Sequence, residues 1–277
     1  MNMPNFPNLA DTFYNYFQNR EHKGSPDDGT ITFAPSYLMD CSRKIYYKKT
    51  GEVESNPIDL PALFKMHFGT LQHEGLQNIL IELGMLIECE DLKKAEYDGL
   101  TFYYKLDSII NWNGEKVIVE IKTVYAAGFD SVVDRPKDDH LVQALSYMAF
   151  EGIKKAIIVY VGRDNGLIRQ YCIESGENLL LNGAVINDYR PIWKSRIEAM
   201  KTLKDDIENK QLPLREYNIV MKSTPNGISY MFTKDKIKYK GNWQCSYCSF
   251  KDKCWREEIE KMQSGKYSFY IDGEFIE

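Results

Sequence analysis

The sequence predicts a mixed α/β protein in which a central mixed β-sheet is flanked by helices. Apolar residues recur with helical spacing in segments near 60–83 and 138–151. Runs of β-branched and aromatic residues are joined by Asn-Gly pairs at 113–114 and 165–166, which are typical of tight hairpin turns. The order is therefore helix, hairpin, helix, hairpin, helices. This order argues against a doubly wound parallel sheet, and no glycine-rich phosphate loop follows a strand.

The individual elements follow from local residue patterns. Glycine, proline, serine and aspartate mark turns, alternating apolar residues mark strands, and period-3.6 runs mark helices. The elements expected in chain order are a turn-rich linker at 21–30, a helix at 60–83, strands at 101–110 and 116–124, a helix at 138–151, strands at 156–162 and 167–173, and helical structure at 177–210 interrupted near Pro191. From residue 211 onward we expect irregular structure with short strands and a terminal hairpin about residues 272–273.

Composition limits the class of protein. Hydrophobic residues form 43% of the chain, which supports a sizeable core for a single domain over residues 1–277. No apolar run approaches the roughly 18 residues of a membrane span. The polar, proline-bearing start does not resemble a secretory signal, so the sequence predicts a cytoplasmic location without membrane contact. In that reducing setting, the 6 cysteines are expected to be metal ligands or buried thiols rather than disulfides.

The charge distribution is acidic overall with local basic patches. A net charge of −5 is not that of a uniformly basic nucleic-acid binder. Positive charge is concentrated in a first patch and in a second run at residues 234–240; the first patch comprises Arg43, Lys44, Lys48 and Lys49. Each patch either contacts phosphate groups or is ordinary solvated surface.

The first predicted hairpin carries two carboxylates and a lysine. Alternation along the second strand turns one set of side chains to a core, namely Val117, Val119 and Ile121. The opposite face presents Glu120 beside Lys122, and pairing across the turn brings Asp107 near Glu120. Neighbouring carboxylates repel unless a cation such as Mg²⁺ lies between them. The pattern favours metal-assisted phosphate chemistry over an ordinary mixed-charge surface only when further residues support it.

Two helices supply those further residues. His73 lies one turn after Gly69, whose missing side chain leaves space for close approach. Gln143 and Tyr147 have i, i+4 spacing and therefore share one helix face. Taken separately, a helical histidine is usually structural, and amphipathic helices often contain such polar pairs.

In chain order these residues resemble the RecB-like branch of the PD-(D/E)XK nuclease superfamily, over about residues 36–255. The matching motifs are Gly69-x3-His73, Asp107, Glu120-x-Lys122 and Gln143-x3-Tyr147. The resemblance implies a restriction-endonuclease-like core at about 60–175 and a metal-dependent deoxyribonuclease activity. It implies Mg²⁺ or Mn²⁺ ligands at His73, Asp107, Glu120 and the carbonyl of Ile121, a catalytic role for Lys122, and supporting roles for Gln143 and Tyr147. Leu106 stands where the superfamily name has proline, and many members vary there.

A cysteine pattern near the C-terminus indicates a second metal centre. Cys245, Cys248 and Cys254 lie within ten residues, and Cys41 is the fourth candidate ligand. Four thiolates suit zinc or an iron-sulfur cluster. The division into one distant and three close cysteines is similar to CRISPR-adaptation nucleases and the AddB nuclease domain, which implies a [4Fe-4S] cluster joining residues 36–50 to 240–258. Cys89 and Cys172 fit no ligand spacing, and Cys172 is expected to be a small buried hydrophobe.

These features favour a DNA exonuclease that acts on single strands or on duplex ends. Three aromatic residues near the cysteines either stack DNA bases or pack around the cluster; these are Trp243, Tyr247 and Trp255. The alternatives are a non-catalytic DNA-binding or assembly module that retains the nuclease fold, and a structure-specific or restriction-type endonuclease. A homo-oligomer, and partner proteins of repair, recombination or CRISPR systems, are compatible with the resemblance.

Overall fold

A computed structural model describes residues 12, 15–16, 29–224, 227–233, 243–263, 269–271 and 274–276. The chain divides into two compact units, the first formed by residues 1–39 and 59–201 and the second by residues 40–58 and 202–277. The single-domain organisation stays a prediction. Residues 21–28 of the predicted linker and the basic run at 234–240 lie outside the described residues.

The described elements comprise strands and helices in the following order. The strands are β1 (Thr32–Phe33), β2 (Leu86–Glu88), β3 (Lys93–Tyr97), β4 (Leu100–Tyr104), β5 (Ser108–Trp112), β6 (Glu115–Val124), β7 (Lys155–Gly162), β8 (Ile168–Ser175), β9 (Leu179–Leu181), β10 (Ala184–Val185), β11 (Asn218–Thr224), β12 (Gly227–Thr233), β13 (Phe269–Ile271) and β14 (Glu274–Ile276). The α-helices are α1 (Ser42–Lys49), α2 (Leu60–Glu82), α3 (Ala126–Phe129), α4 (Asp138–Glu151), α5 (Arg190–Glu208), α6 (Trp243–Ser246) and α7 (Lys251–Gln263).

The first unit is built on a seven-stranded sheet with the order β10-β9-β8-β7-β6-β5-β2. β6 and β7 pair in parallel, and the other neighbours pair antiparallel, so the sheet is mixed. A three-stranded sheet, β1-β4-β3, accompanies it. The predicted mixed α/β class with a central mixed sheet and flanking helices is confirmed.

The two helices that border the site have local start and stop features. α2 begins after Asp59, whose Oδ1 accepts a hydrogen bond of 2.8 Å from the amide of Ala62. α4 ends at Gly152, which adopts a left-handed conformation with φ of 65°. Both helices agree with the segments predicted from apolar spacing.

The β5–β6 hairpin turns at Asn113 and Gly114, whose φ angles are 52° and 86°. Two consecutive left-handed residues are what a two-residue hairpin of the predicted kind requires. Ser108 pairs with Val119, which brings the preceding residue, Asp107, to the level of Glu120. The turn therefore sets the register that the site depends on.

The central strand β6 is buried on both faces. Its core face carries Val117, Val119 and Ile121, which pack against Leu76 and Leu80 of α2 as part of one apolar cluster. The opposite face, which carries Glu120 and Lys122 as predicted, is also covered, since Ile118 is fully buried and Glu120 is 3% exposed. β6 lies between β5 and β7, and α4 packs against both β6 and β7.

Two other predictions need correction. The strand expected at 101–110 is divided into β4 and β5, which belong to different sheets. The helix expected to begin near residue 177 begins at Arg190, and β9 and β10 precede it. These strands are joined by Asn182 and Gly183, both left-handed, which form a turn of the Asn-Gly type. Pro191 stands in the first helical turn, where its missing amide hydrogen costs no hydrogen bond, so it marks a helix start rather than a kink.

The second unit contains α1, α6, α7 and a four-stranded sheet with the order β12-β11-β13-β14. β13 and β14 pair antiparallel, as the predicted terminal hairpin requires. The helix α7, where irregular structure was expected, carries Cys254. Among the described helices, none combines the length and apolar character needed to cross a membrane.

Candidate functional site

Helix α2 brings an imidazole to a carboxylate at the start of β5. The distance from His73 Nδ1 to Asp107 Oδ1 is 3.4 Å. The other oxygen of Asp107 accepts a hydrogen bond of 2.6 Å from the amide of Ile121. Gln77, one turn after His73, donates to the carbonyl oxygen of Asp107 at 2.7 Å. Helix and hairpin are therefore joined at Asp107, and the predicted meeting of His73 with Asp107 is observed.

A third ligand group, Glu90, is one that the sequence patterns do not single out. Ligating atoms of His73, Glu90 and Asp107 all lie within 4.8 Å of one another. Gln77 Nε2 approaches Glu90 Oε1 at 3.4 Å, and the amide of Glu90 donates to the carbonyl of Leu106 at 2.9 Å. The φ angle of Glu90 is 54°, which is uncommon for a residue other than glycine. An acidic residue held in this backbone conformation beside a histidine and an aspartate is a candidate metal ligand.

Glu120 is placed differently from the other acids. Its Oε1 lies 2.7 Å from Lys122 Nζ. Lys122 Nζ also donates to Gln143 Oε1 at 2.9 Å, and Gln143 Nε2 donates to the hydroxyl of Tyr147 at 2.8 Å. The four predicted residues thus form one chain of contacts from β6 to α4. The amide of Ile121 contacts Asp107, and a ligand role for its carbonyl stays a prediction.

One oxygen in this group has no protein partner. Glu120 Oε2 is buried, and no hydrogen-bond donor among the described residues reaches it. An unsatisfied buried polar atom costs about 1–3 kcal/mol, and more if it is charged. A cation beside Glu120 would remove that cost.

The electrostatics of the site show an excess of acid. Burial, reinforced by Asp107, raises the pKa of Glu120 to about 7. Partial desolvation and the charge of Asp107 likewise raise the pKa of Glu90. Burial lowers the pKa of His73 and of Lys122, but the neighbouring carboxylates outweigh it and leave both pKa values raised. These four pKa values are all raised, which is the direction that an added cation would reverse.

His73 and Glu90 line an open cleft between α2 and the end of β6. Its other lining residues are Met66, Gly69, Thr70, Glu74, Gln77, Thr123 and Arg163. The side chains of these two candidate ligands are therefore reachable from solvent on one side. Glu120 on β6 and Tyr147 on α4, by contrast, are buried.

Gly69 sets how closely α2 approaches β6. A Cβ atom built at this position would lie 3.0 Å from Thr123 Oγ1 and 3.3 Å from Arg163 Nη2, closer than ordinary van der Waals contact. Gly75, on the same helix, has no neighbour within 4 Å of such an atom. The space predicted at Gly69 is thus used by the strand that carries the lysine.

We expect Gly69→Val to lower the free energy of unfolding by about 1–3 kcal/mol, because overpacking moves α2 away from β6. The matched change Gly75→Val should alter stability by no more than about 0.5 kcal/mol, since the position is exposed. Urea denaturation of both variants measures the difference. Equal stabilities would show that the close approach at Gly69 has no energetic consequence.

The four cysteines of the predicted cluster line one pocket in the second unit. Cys41 precedes α1, Cys245 lies in α6, and Cys254 lies in α7. Burial raises the pKa of Cys41 to about 11 and raises those of Cys245 and Cys248 above their usual range. For Cys245 the neighbouring cysteines add to the effect. Thiols grouped in this way ionise readily only when a metal is present.

Two arginines surround the last cysteine. Arg43 Nη1 lies 3.9 Å from Cys254 Sγ, and Arg215 Nη2 donates to the carbonyl of Cys254 at 2.6 Å. Arg43 also donates to the carbonyl of Pro213, and Lys44 pairs with Asp40 at 2.9 Å. These two members of the predicted basic patch are therefore engaged within the unit.

The aromatic residues near the cysteines divide into two kinds. Trp255 is 2% exposed and packs in the apolar cluster with Cys245, so packing around the cysteines is the alternative that applies to it. Tyr247 is 84% exposed, and the side chain of Trp243 lies outside the described residues.

The prediction that Cys172 is buried is wrong. Cys172 is exposed, because the alternation of β8 turns Tyr171 inward and Cys172 outward.

Comparison with known proteins gives structural similarities. A crystal structure of SSO0001 matches with a TM-score of 0.50 and 18% sequence identity, covering 87% of this chain and 93% of that chain. The alkaline exonuclease LHK-Exo from Laribacter hongkongensis matches with a TM-score of 0.44 and 17% identity, over 65% of this chain and 91% of that chain, and so does its complex with dAMP. No family model and no curated protein matches the sequence. The chain and SSO0001 share a fold.

Proposed function

We propose that this protein is a metal-dependent deoxyribonuclease that hydrolyses phosphodiester bonds, acting as an exonuclease on single strands or duplex ends. The observation that carries the proposal is the pair formed by buried Glu120 and partly buried Lys122, 2.7 Å apart, in which one carboxylate oxygen is unpartnered and the charges of Asp107 and His73 act on Glu120. An excess of carboxylates next to a fixed ammonium group is useful for phosphoryl chemistry, whereas it does not help to stabilise a fold. The resemblance of the motif order to RecB-like nucleases supports the same conclusion.

The donor set fits a hard divalent cation. Mg²⁺ or Mn²⁺ would be held by His73, Glu90 and Asp107, whose ligand atoms lie within 4.8 Å of one another, with the unpartnered oxygen of Glu120 as a further proposed ligand. These ions take carboxylate oxygens, and an imidazole nitrogen suits first-row metals. A bound cation of this kind supplies Lewis-acid polarisation of a phosphate oxygen. Ile121 keeps Asp107 oriented through its amide, and Gln77 fixes the backbone of Asp107 from the helix side.

Lys122 provides a fixed positive charge. Its ammonium is held by Glu120 and by Gln143, which is itself held by Tyr147. The raised pKa of Lys122 keeps the group protonated despite its burial, because the carboxylates of Glu120 and Asp107 outweigh desolvation. A protonated amine fixed in this way stabilises the negative charge that develops on a phosphate oxygen, without a reorganisation cost during the reaction.

A binding or assembly module would not need this arrangement. Replacing a buried ion pair with apolar residues of similar volume is often neutral or stabilising by about 1–4 kcal/mol. The chain instead retains a partly buried lysine, a buried glutamate and an unsatisfied oxygen in one place. That cost in stability is explained if the residues act on a substrate.

We further propose that Cys41, Cys245, Cys248 and Cys254 hold a [4Fe-4S] cluster with a structural role. The pocket that all four line, the apolar packing around Cys245, and the positive charge of Arg43 near Cys254 support it. Zinc is the alternative that the same sulfur ligands would accept. Visible absorption with an iron and sulfide analysis of anaerobically purified protein separates the two metals.

The proposed activity is tested on Lys122→Ala with Lys116→Ala as its matched control, because Lys116 is exposed on the same strand. We expect Lys122→Ala to lower the cleavage rate of end-labelled DNA by about a hundredfold or more in Mg²⁺ or Mn²⁺. Lys116→Ala should cleave at the wild-type rate, and EDTA should abolish cleavage. Equal rates in all three proteins would assign the cleavage to another site or to a contaminant.

Substrate topology distinguishes the mode of cleavage. An exonuclease degrades linear single strands or linear duplexes progressively from an end and leaves closed circular DNA intact. Cleavage of circular DNA by wild type, but not by Lys122→Ala, would favour the endonuclease alternative. Absence of any metal-dependent cleavage would favour the non-catalytic module.

A further inference from the structure

We propose that Arg163 and Thr123 form a binding site for a phosphate group of the nucleic-acid strand, on the wall of the cleft that carries His73 and Glu90. This inference rests on the proposed function, because the strand it positions is the substrate of that site. It adds a contact to substrate outside the metal-ligating and lysine-bearing residues.

The backbone of Arg163 is hydrogen-bonded to the end of β6. Arg163 follows β7 directly, and its amide donates to the carbonyl of Val124 at 2.8 Å. The next residue, Asp164, accepts a hydrogen bond of 2.8 Å from the amide of Ala126. The loop after β7 is thus tied to the chain that continues from Lys122, which fixes where the arginine side chain starts.

The guanidinium group is also held in place, but not by an acid. Its Nε donates to Thr123 Oγ1 at 2.9 Å, and Nη1 approaches the carbonyl of Lys65 at 3.3 Å. The group lies 5.3 Å from the ring centre of Tyr125. Within the described part of the chain, no carboxylate lies at ion-pair distance from Arg163, whereas Arg215 pairs with Glu258 at 2.7 Å.

An arginine that is oriented by neutral groups keeps its charge available. Nε and Nη1 contact protein oxygens, and Nη2 has no hydrogen bond within the described structure. Guanidinium donors suit the oxygens of phosphate, and a planar group held at one edge loses little freedom on binding. The free edge of Arg163 is therefore suited to an anion.

The position of Arg163 near the acidic residues indicates what its charge could do. Thr123 follows Lys122 in β6, and Arg163 lines the same cleft as His73 and Glu90. A polyanionic strand entering the cleft meets the carboxylates of Glu90 and Asp107, which repel it. Arg163 offers attraction on the same wall, so a strand could be held with one phosphate on the guanidinium and a neighbouring one near the metal ligands.

The alternative role for Arg163 is structural, as a tie between β6 and α2. A tie would affect stability and not the salt dependence of DNA binding. The test therefore measures single-stranded DNA binding by Arg163→Gln and Arg163→Lys in an Asp107→Asn background, in Mg²⁺, at several salt concentrations. Lys154→Gln is the control, since Lys154 is exposed and lies just before β7 while Arg163 lies just after it.

We expect Arg163→Gln to raise the Kd about tenfold and to reduce the slope of log K against log salt by about 0.7, the value for one phosphate contact on a single strand. Arg163→Lys should keep the slope and recover part of the affinity, because it retains charge without the planar fork. Lys154→Gln should bind as the parent does. Unchanged affinity and slope in a folded Arg163→Gln protein would overturn the site.

Thr123→Val is the second variant if Arg163→Gln does not fold. It keeps the charge but removes the oxygen that orients it, so we expect a rise in Kd of about threefold with the slope unchanged. No change in Kd would again overturn the proposal. If DNA binding depends on Arg163 but the wild-type protein does not cleave DNA, only the proposal of a nuclease is rejected. If wild type cleaves DNA and Arg163→Gln binds it with unchanged affinity, only the phosphate site is rejected.

Discussion

Asp107→Asn should lower the rate of DNA cleavage by about a thousandfold or more, while the metal-free variant is as stable as wild type or more stable. The slower cleavage and the retained stability have one cause. Asp107 contributes the charge that a cation needs, and without a cation the same charge is unfavourable. A purely structural aspartate would show the opposite pattern, with a loss of stability.

The contacts of Asp107 support both expectations. Its charge raises the pKa values of Glu90 and Glu120, so its removal relieves repulsion in the metal-free site. Asparagine can still accept the hydrogen bond from the Ile121 amide through its side-chain oxygen, and the backbone carbonyl still accepts the bond from Gln77. The contact between α2 and the hairpin is therefore kept, while the proposed metal site loses a carboxylate ligand next to His73.

Melting temperatures with and without Mg²⁺ separate these effects. In wild type, Mg²⁺ at a hundred times its Kd should add about 2.7 kcal/mol of stability, which raises Tm by about 5–10 °C. Asp107→Asn should show little of this rise. Asp91→Asn serves as the control, because Asp91 is exposed and adjacent to Glu90 in sequence. A metal-free Asp107→Asn protein that melts well below wild type would contradict the proposed role.

The parts of the site that the sequence predicts are those fixed by local geometry. The Asn113-Gly114 turn sets the register of β5 and β6, and that register brings Asp107 to the level of Glu120. The i, i+4 spacing of Gln143 and Tyr147 places them on one face of α4, where they join in one hydrogen bond. Turn chemistry and helical periodicity act over a few residues, so they can be recognised without the fold.

The remainder depends on contacts between distant segments. Glu90 reaches the site because β2 pairs with β5, with Leu86 opposite Ile110. No local sequence pattern near residue 90 predicts that pairing. Glu120 is buried because β6 is a central strand with helices on both sides, whereas a two-stranded hairpin considered alone would expose one face. The segment before Arg190 was expected to be helical because its leucines fit a helix as well as a strand, and only the turn at Asn182 and Gly183 distinguishes them.

Loss of one ligand of the proposed cluster should have the largest effect on stability. We expect Cys41→Ser to remove most of the iron and the visible absorption, and to lower Tm by about 10 °C or more. Cys41 and Cys245 are about two hundred residues apart in the chain. Closing a loop of that length with a covalent link stabilises the folded state by about 5 kcal/mol in the chain-entropy view, and each kcal/mol corresponds to about 2–4 °C in a protein of this size.

The second unit should be weakened rather than unfolded, because other contacts join the same two segments. The amide and hydroxyl of Ser42 donate to Glu216 at 2.7 and 2.9 Å, and Asn56 Nδ2 donates to Asp252 at 2.9 Å. Ser42→Ala removes one of these bonds and should cost only about 1 kcal/mol. The comparison of Cys41→Ser with Ser42→Ala thus measures the contribution of the cluster against that of a single neighbouring hydrogen bond.

Cys172→Ser controls for the loss of a thiol as such, since Cys172 is exposed on β8 and distant in sequence from the proposed ligands. It should retain the iron content and Tm of wild type. If the cluster joins residues 40–58 to 202–277, anaerobic removal of iron from wild type should bring its Tm down to that of Cys41→Ser and leave the Tm of Cys41→Ser unchanged. Equal melting of the Cys41→Ser and Cys172→Ser proteins, each with its iron content measured, would mean that no metal centre holds these segments together.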